Sequence, residues 1–228
     1  MINVDSKGIN MNKIVLIGLI LAIALCSAAE AARIEKNVKV AVMDFGTHKG
    51  AATQEIKVAN LGRAACDYII QGLLESGCFQ IADRTLMQEY FDAEGIKTEG
   101  IIDPDTAQLI SEKLQVNYII YGNVSDLAAS DMTTEILANG VKVYTVTAHI
   151  IARIMDISTG EILMASKGEG KSKSSFTKVG SPHIGYFSIG TKKVTQDSVH
   201  NAVQKASYAA VDQLVERLYG IKPKPRKK

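Results

Sequence analysis

The stretch that most resembles a chemical site is residues 165–172, Ala-Ser-Lys-Gly-Glu-Gly-Lys-Ser. It matches the permissive pattern of a phosphate-binding loop, in which backbone N–H groups surround a phosphate and the lysine contacts it. Such a loop must open a helix whose N-terminus faces the phosphate. Gly180, Pro182 and Gly185 follow instead and disfavour a helix. The sequence therefore predicts no nucleotide at this place.

The residues that most often bind metals are also scattered. The histidines stand at positions 48, 149, 183 and 200, and Cys66 and Cys78 are not at ligand spacing. If residues 58–76 form a helix, these two cysteines lie roughly 18 Å apart, which is beyond disulfide reach. We therefore expect neither a metal site nor a disulfide.

Catalytic groups are equally hard to assemble from the sequence. The serines lack the Gly-x-Ser-x-Gly turn of a nucleophile, and no histidine is placed to suggest a triad. Asp44 and Asp83 are typical of a turn and a helix cap rather than of a general acid and base. The chain is therefore expected not to be an enzyme and to use no cofactor.

Residues 1–31 have the layout of a signal peptide, with Met11 as the expected start. Lys13 precedes an apolar run from Ile14 to Cys26, and small residues flank a cleavage position after Ala31. The run is shorter than the roughly 20 residues of a membrane-spanning helix. Lipidation of Cys26 is the alternative, although Leu25 fits a lipobox poorly.

The charge of the chain is unevenly distributed. Positively charged side chains occupy five of the last seven positions, Lys222-Pro-Lys-Pro-Arg-Lys-Lys228, in a basic tail over residues 221–228. This tail is either a solvated end or a segment attracted to anionic surfaces. The whole chain has a net charge of only +2, so we expect no nucleic-acid partner.

Hydrophobic periodicity divides residues 32–220 into strands and helices. Strands are predicted at 39–45, 78–83, 116–124, 141–155 and 161–166, and helices at 58–76, 84–94, from Asp103 onward and at 197–219. The strand at 116–124 is the most apolar and should be central, and Gly122 within it indicates a bulge or a close backbone approach. The order predicts an α/β domain with a mixed sheet flanked by helices.

Several of these segments resemble the CsgG family of curli secretion channels, over about Val38 to Leu218. The segments are 40–44, 76–79, 118–122, 153–162 and the alanine-rich last helix, and the Asp-Ile-Ser-Thr-Gly-Glu turn is the most specific. The resemblance implies family-motif or structural roles for Asp44, Phe79, Asp83, Arg84, Gly122, Arg153, Asp156, Thr159, Gly160 and Glu161. Lipoproteins that activate cell-wall synthases share the same order of elements.

The resemblance also implies two β-hairpin extensions, at about 128–147 and 167–194. In the second, lysines and Glu169 alternate with Gly168, Gly170, Ser172 and Ser174, which are small rather than apolar. A membrane arm would use the five residues Phe176, Ile184, Tyr186, Phe187 and Ile189; an exposed glycine-rich loop is the alternative. The loop 46–57 contains no aromatic residue, so the family's pore constriction is missing as a motif.

As implied by the resemblance, the chain acts in curli-type assembly or transport, or as an oligomeric secretion component of the cell envelope. The alternative is a soluble periplasmic accessory or scaffold protein without channel activity. Its partners would be further copies of itself or other envelope proteins. It would lie in the periplasm, with or without contact with the outer membrane.

Overall fold

The computed structural model describes residues 34–47, 60–95, 103–131, 142–176 and 186–222. The strands are β1 (Val38–Val42), β2 (Gly46–Thr47), β3 (Phe79–Ile81), β4 (Tyr118–Asp131), β5 (Lys142–Asp156), β6 (Ile162–Phe176), β7 (Tyr186–Ile189) and β8 (Lys192–Thr195). The helices are α1 (Leu61–Ser76), α2 (Arg84–Glu94), α3 (Pro104–Leu114) and α4 (Gln196–Tyr219).

The main sheet is mixed and has the strand order β3-β1-β4-β5-β6, with the short β2 also paired to β4. The pairs of β1 with β3 and β4 are parallel, whereas the pairs of β5 with β4 and β6 are antiparallel. The short strands β7 and β8 form a separate antiparallel hairpin. The predicted α/β class and the central place of β4 are confirmed.

Helices cover both faces of this sheet. On one face α1 and α4 pack over a core that includes Leu61, Ile69, Ile150 and Leu214. On the other face α2 and α3 pack over a smaller core around Met43. The side chains of a strand alternate between faces, so β1 and β4 contribute apolar residues to both cores and read as nearly continuous hydrophobic runs.

Local signals set the helix boundaries. The Asp83 carboxylate accepts hydrogen bonds from the N–H groups at the start of α2, and Asp103 does the same for α3, in which Pro104 is the first residue. Gly95 and Gly220 have the positive φ of helix C-caps. These predicted boundaries are confirmed. Helix α1 begins at Leu61 rather than at the predicted residue 58, because Asn60 has a left-handed φ of 50° and forms the N-cap.

Helical spacing also predicts that Leu86 of α2 and Leu109 of α3 belong to the buried faces, and both predictions are wrong. Leu86 is 58% exposed and Leu109 is 39% exposed, whereas Met87 and Ile110 beside them are buried. The angle at which α2 and α3 approach the sheet decides which residue of each pair faces it.

The largest correction to the strands predicted from periodicity concerns β6, which continues past Ser166 to Phe176, into the region where the resemblance implies the second hairpin. Its second half pairs with β5 in unbroken register from Lys167 onward. The alternate small residues face α4, so this segment is a strand of the sheet and not an exposed loop. Gly122 marks a close approach, while the irregularity of β4 falls further on, between Val124 and Asp126.

Candidate functional site

A cluster of charged residues joins three elements where β1 ends. The Arg84 guanidinium, at the first position of α2, forms ion pairs with the carboxylates of Asp44, which follows β1, and of Asp67 on α1. The Arg84 side chain is only 18% exposed and that of Asp44 is 33% exposed. Arg84 therefore holds the end of the strand against both helices.

Cys66 lies inside this cluster and is buried. Burial, partly offset by the nearby Arg84 charge, raises the pKa of its thiol to about 12. The thiol donates to the carbonyl oxygen of Val42 at 3.9 Å. A thiol protonated at neutral pH is a poor nucleophile, so the arrangement is structural rather than catalytic.

The most specific family segment forms the turn between β5 and β6. The Asp156 carboxylate accepts from the Ser158 N–H at 2.8 Å and from its hydroxyl at 2.6 Å, and the Gly160 N–H donates to the Asp156 carbonyl at 2.8 Å. Gly160 has a φ of 71°. The Glu161 N–H donates to the Thr159 hydroxyl at 3.2 Å. Each residue of the motif thus has a part in closing the turn.

An open groove of about 720 Å³ lies between this turn and α3. Its lining combines carboxylates of Asp105, Glu112 and Asp156 with the polar side chains of Gln108 and Asn117. The Ile157 N–H donates to the Asn117 carbonyl at 3.0 Å, which fixes the turn to the chain before β4. The groove is open and largely polar, and the Ser158 hydroxyl in its lining is bound to the Asp156 carboxylate as part of the turn.

The three other motif residues serve packing. A Cβ on Gly122 would lie 2.0 Å from the carbonyl oxygen of Ile151 and 2.6 Å from the Phe45 ring. Arg153 donates to the side-chain oxygen of Asn123 at 3.3 Å across β4 and β5. Phe79 is buried, and its ring meets that of Tyr219 edge to face at 5.6 Å. None of these three contacts could be recognised from the sequence, because each joins residues of different elements.

The proposed membrane arm has a different place in the structure. Ile189 is buried with 8% exposure, Phe187 packs against the same core, and Tyr186 is 40% exposed. Ile184 and the side chain of Phe176 lie outside the described residues. The arm stays a prediction, and it requires Ile189 to leave the core.

The small residues of β6 allow α4 to approach the backbone of the sheet. A Cβ on Gly168 would lie 1.8 Å from the carbonyl oxygen of Ala206, and one on Gly170 would lie 2.0 Å from that of Ala202. Both distances are impossible for real atoms. Glycine on the strand and alanine on the helix are therefore required together.

One row of ionisable groups could not be recognised from the sequence. His149 on β5 lies opposite Asp126 on β4 and opposite Glu169 on β6. Its Nδ1 is buried and has no hydrogen-bond partner among the described residues. Only the register places these residues side by side. The described parts of the chain contain no group of three His, Cys, Asp or Glu arranged to bind a metal ion.

The sequence matches the family model described as "Curli production assembly/transport component CsgG" over residues 22–224, which is most of the chain. The chain belongs to the CsgG family. The resemblance drawn from the turn and strand segments is confirmed. No match was found among curated protein sequences.

Three solved structures can be set beside this CsgG-family chain. The lipoprotein GNA1162 of Neisseria meningitidis is 15% identical, with a TM-score of 0.38 over 63% of this chain and 88% of its own. The LpoB C-terminal domain of Escherichia coli is 14% identical, with a TM-score of 0.36 over 66% and 92%. The PelC dodecamer of Paraburkholderia phytofirmans is 12% identical, with a TM-score of 0.34 over 82% and 90%. The family assignment rests on the family model.

The CsgG-family motif residues are thus gathered mainly in two places. Asp44, Asp83 and Arg84 lie where β1 meets α2, and the residues from Asp156 to Glu161 lie in the β5–β6 turn. Asp67 is the partner that the sequence did not reveal, because it lies on a different helix. Within the described parts of the chain, no helix is both long enough and apolar enough to cross a membrane.

Proposed function

We propose that this chain is a non-enzymatic component of the cell envelope that works by assembly, in curli-type assembly or transport or as an oligomeric secretion component. The observation that carries the proposal is the match to the curli assembly and transport family over residues 22–224. Its partners are further copies of the chain or other envelope proteins. Its place is the periplasm or the periplasmic side of the outer membrane.

The length of three strands supports a role in assembly. Strands β4, β5 and β6 have 14, 15 and 15 residues. At about 3.3 Å per residue they extend roughly 46–50 Å, about two and a half times the usual length of a strand. The motif residues described above hold turns and elements together. These features suit a protein that presents a rigid surface rather than one that transforms a substrate.

A second function, that of a soluble periplasmic accessory or scaffold protein without channel activity, is favoured by one observation. Ile189 and Val194, both in the segment of the implied second hairpin, are buried in the main core. A lipid-facing hairpin would have to remove them from that core and expose the sheet beneath. An accessory protein needs no such rearrangement.

Fractionation of the native host's envelope, followed by size analysis of detergent extracts, distinguishes the two functions. A large, detergent-stable oligomer in the outer-membrane fraction supports the secretion component. A monomer or dimer in the periplasmic extract supports the accessory protein and contradicts the channel. Mass spectrometry of the purified N-terminus tests cleavage after Ala31 against a lipidated Cys26.

The membrane arm is tested by Tyr186→Asp, since Tyr186 is its most exposed described residue. If the arm inserts, the variant should leave the membrane fraction, because a carboxylate on the lipid face of a strand is costly. Leu86→Asp is the matched control, because Leu86 is also an exposed large apolar residue but lies on α2. Continued membrane association of Tyr186→Asp would remove the arm from the proposal.

A further inference from the structure

The outer edge of β6 is long and is not paired with any strand of the described residues. Among those residues β6 stands at the end of the strand order and pairs with β5 alone. An edge of this length presents N–H and C=O groups on which another strand can form. The side chains that contact these groups therefore decide whether such a strand can be added.

Three side chains of α4 extend around the sheet to the outward-facing backbone of β6. Gln213 accepts from the Lys167 N–H at 2.8 Å, Lys205 donates to the Lys171 carbonyl at 3.0 Å, and Arg217 donates to the Ala165 carbonyl at 3.1 Å. The N–H and C=O of one residue point to the same side in an antiparallel strand. The odd-numbered residues of β6 thus face away from β5, and α4 occupies part of the ladder they offer.

We propose that the outer edge of β6 is a strand-pairing surface for a second copy of this chain, and that Gln213 and Lys205 hold it closed. This specifies one surface for the self-association named in the proposed function, but it is argued from the edge of β6 alone and can fail while the proposed function holds. The closing bonds come from side chains of a helix that is fixed elsewhere by its own core. Each bond can therefore be removed without removing the strand.

The charged side chains along the edge of β6 favour pairing with the same edge of a second copy, and they favour one register over another. Glu169 and Lys173 are both outward-facing, so antiparallel pairing centred on Lys171 places each Glu169 opposite the other copy's Lys173. Only the two Lys171 side chains then meet as like charges, and Lys167 lies opposite Ser175. Centring the pair on Gly170 would also give two attractive pairs but two repulsive ones, between Lys167 and Lys173. Opposite charges across strands stabilise the pair and like charges destabilise it.

Pairing in this register requires backbone groups of β6 that side chains of α4 already bind. A strand centred on Lys171 needs the Lys171 carbonyl, which Lys205 binds, and the Lys167 N–H, which Gln213 binds. The double variant Lys205→Ala/Gln213→Ala removes both contacts and keeps each Cβ. The double variant Lys205→Arg/Gln213→Glu is the matched control, because it retains a donor and an acceptor at the same positions.

Disulfide cross-linking of the full chain reads out the register. We add Lys171→Cys to the alanine double variant. In the proposed dimer this cysteine faces the same cysteine of the second copy, with their Cα atoms about 5.5 Å apart, which is within disulfide reach. Glu169→Cys is the reporter control. The cysteines of the two copies would be displaced by four residues along the strands, which places their Cα atoms roughly 13 Å apart. Mild oxidation, a non-reducing gel and sedimentation velocity measure the dimer.

We expect the alanine double variant to cross-link through Lys171→Cys at least about tenfold more than the Arg/Glu control does, as one or two added backbone hydrogen bonds would allow. Glu169→Cys should not cross-link in either background. Equal cross-linking in both backgrounds, equal yields from the two cysteines, or none from Lys171→Cys would overturn the proposal. If the alanine pair lowers folding, Gln213→Ala by itself is compared with Gln213→Glu in the same assay, with the same criteria.

Discussion

The two halves of the sheet are packed by opposite means. In the parallel half, β1, β3 and the start of β4 bury large side chains such as Ile119 and Met43 between helices on both faces. In the antiparallel half, β6 carries glycines and α4 carries alanines, and the backbones themselves are in contact. The first half is stabilised by side-chain volume. In the second half, the contact between β6 and α4 depends on small residues that let the two backbones approach, and a hydrophobic pattern does not detect this feature.

The largest expected effect comes from adding one methyl group to the antiparallel half. Gly168→Ala should destabilise the fold by roughly 3 kcal/mol or more, because its Cβ would stand 1.8 Å from the Ala206 carbonyl oxygen and α4 would have to move. Lys167→Ala, at the exposed neighbouring position, is the control. Urea unfolding measures both, and similar stabilities for the two variants would break the comparison.

In the parallel half the effect should follow the volume removed. Ile119 is fully buried, so Ile119→Ala should cost about 3 kcal/mol and Ile119→Val about 1 kcal/mol. Chemical denaturation with constant m-values tests this gradation. A core that tolerated Ile119→Ala as well as Ile119→Val would show that volume is not what stabilises this half.

The charged cluster at the end of β1 should contribute less than either core. Arg84→Ala should cost about 1–3 kcal/mol, because it leaves the half-buried Asp44 carboxylate without its cation. Arg63→Ala changes an exposed arginine on α1 and should be nearly silent. Arg84→Lys should recover only part of the loss, since an ammonium does not match the fork of a guanidinium. Equal stabilities of the Arg84→Ala and Arg63→Ala variants would show that the charged cluster does not stabilise the fold.

The smallest expected effect separates a glycine needed for its φ from a glycine needed for space. Gly160 has a φ of 71°, and no atom lies within 4 Å of the position its Cβ would take. Gly160→Ala should therefore cost only about 1 kcal/mol. The test compares the thermal melting temperatures of the Gly160→Ala and Gly168→Ala variants. If Gly160→Ala proves the more damaging, the explanation of both glycines is wrong.

What the sequence predicted well depends on neighbouring residues. Asp83, Asp103 and Gly95 act within one helical turn, so a cap can be recognised from a few residues. The β5–β6 turn is likewise closed by its own side chains, from Asp156 to Glu161. These contacts need no knowledge of the tertiary structure.

What the sequence did not predict depends on pairing between distant elements. The bond of Arg84 to Asp67 joins two helices, and the row of Asp126, His149 and Glu169 requires the register of three strands. Hydrophobic periodicity did not extend β6 beyond Ser166, because the small and charged residues that follow also suit a loop. Only the position of α4 turns that composition into a buried strand.

The contact of β6 with α4 also has a matched spacing. Two residues of a strand advance about 6.6 Å and four residues of a helix about 6.0 Å, so Gly168 and Gly170 meet Ala206 and Ala202 in step. The two sets of residues match at only one relative position of the strand and the helix. If either element slid by a single residue, a side chain would come to face a backbone. Strand and helix can therefore shift only together, and a force applied to one end of β6 is passed to the whole length of α4.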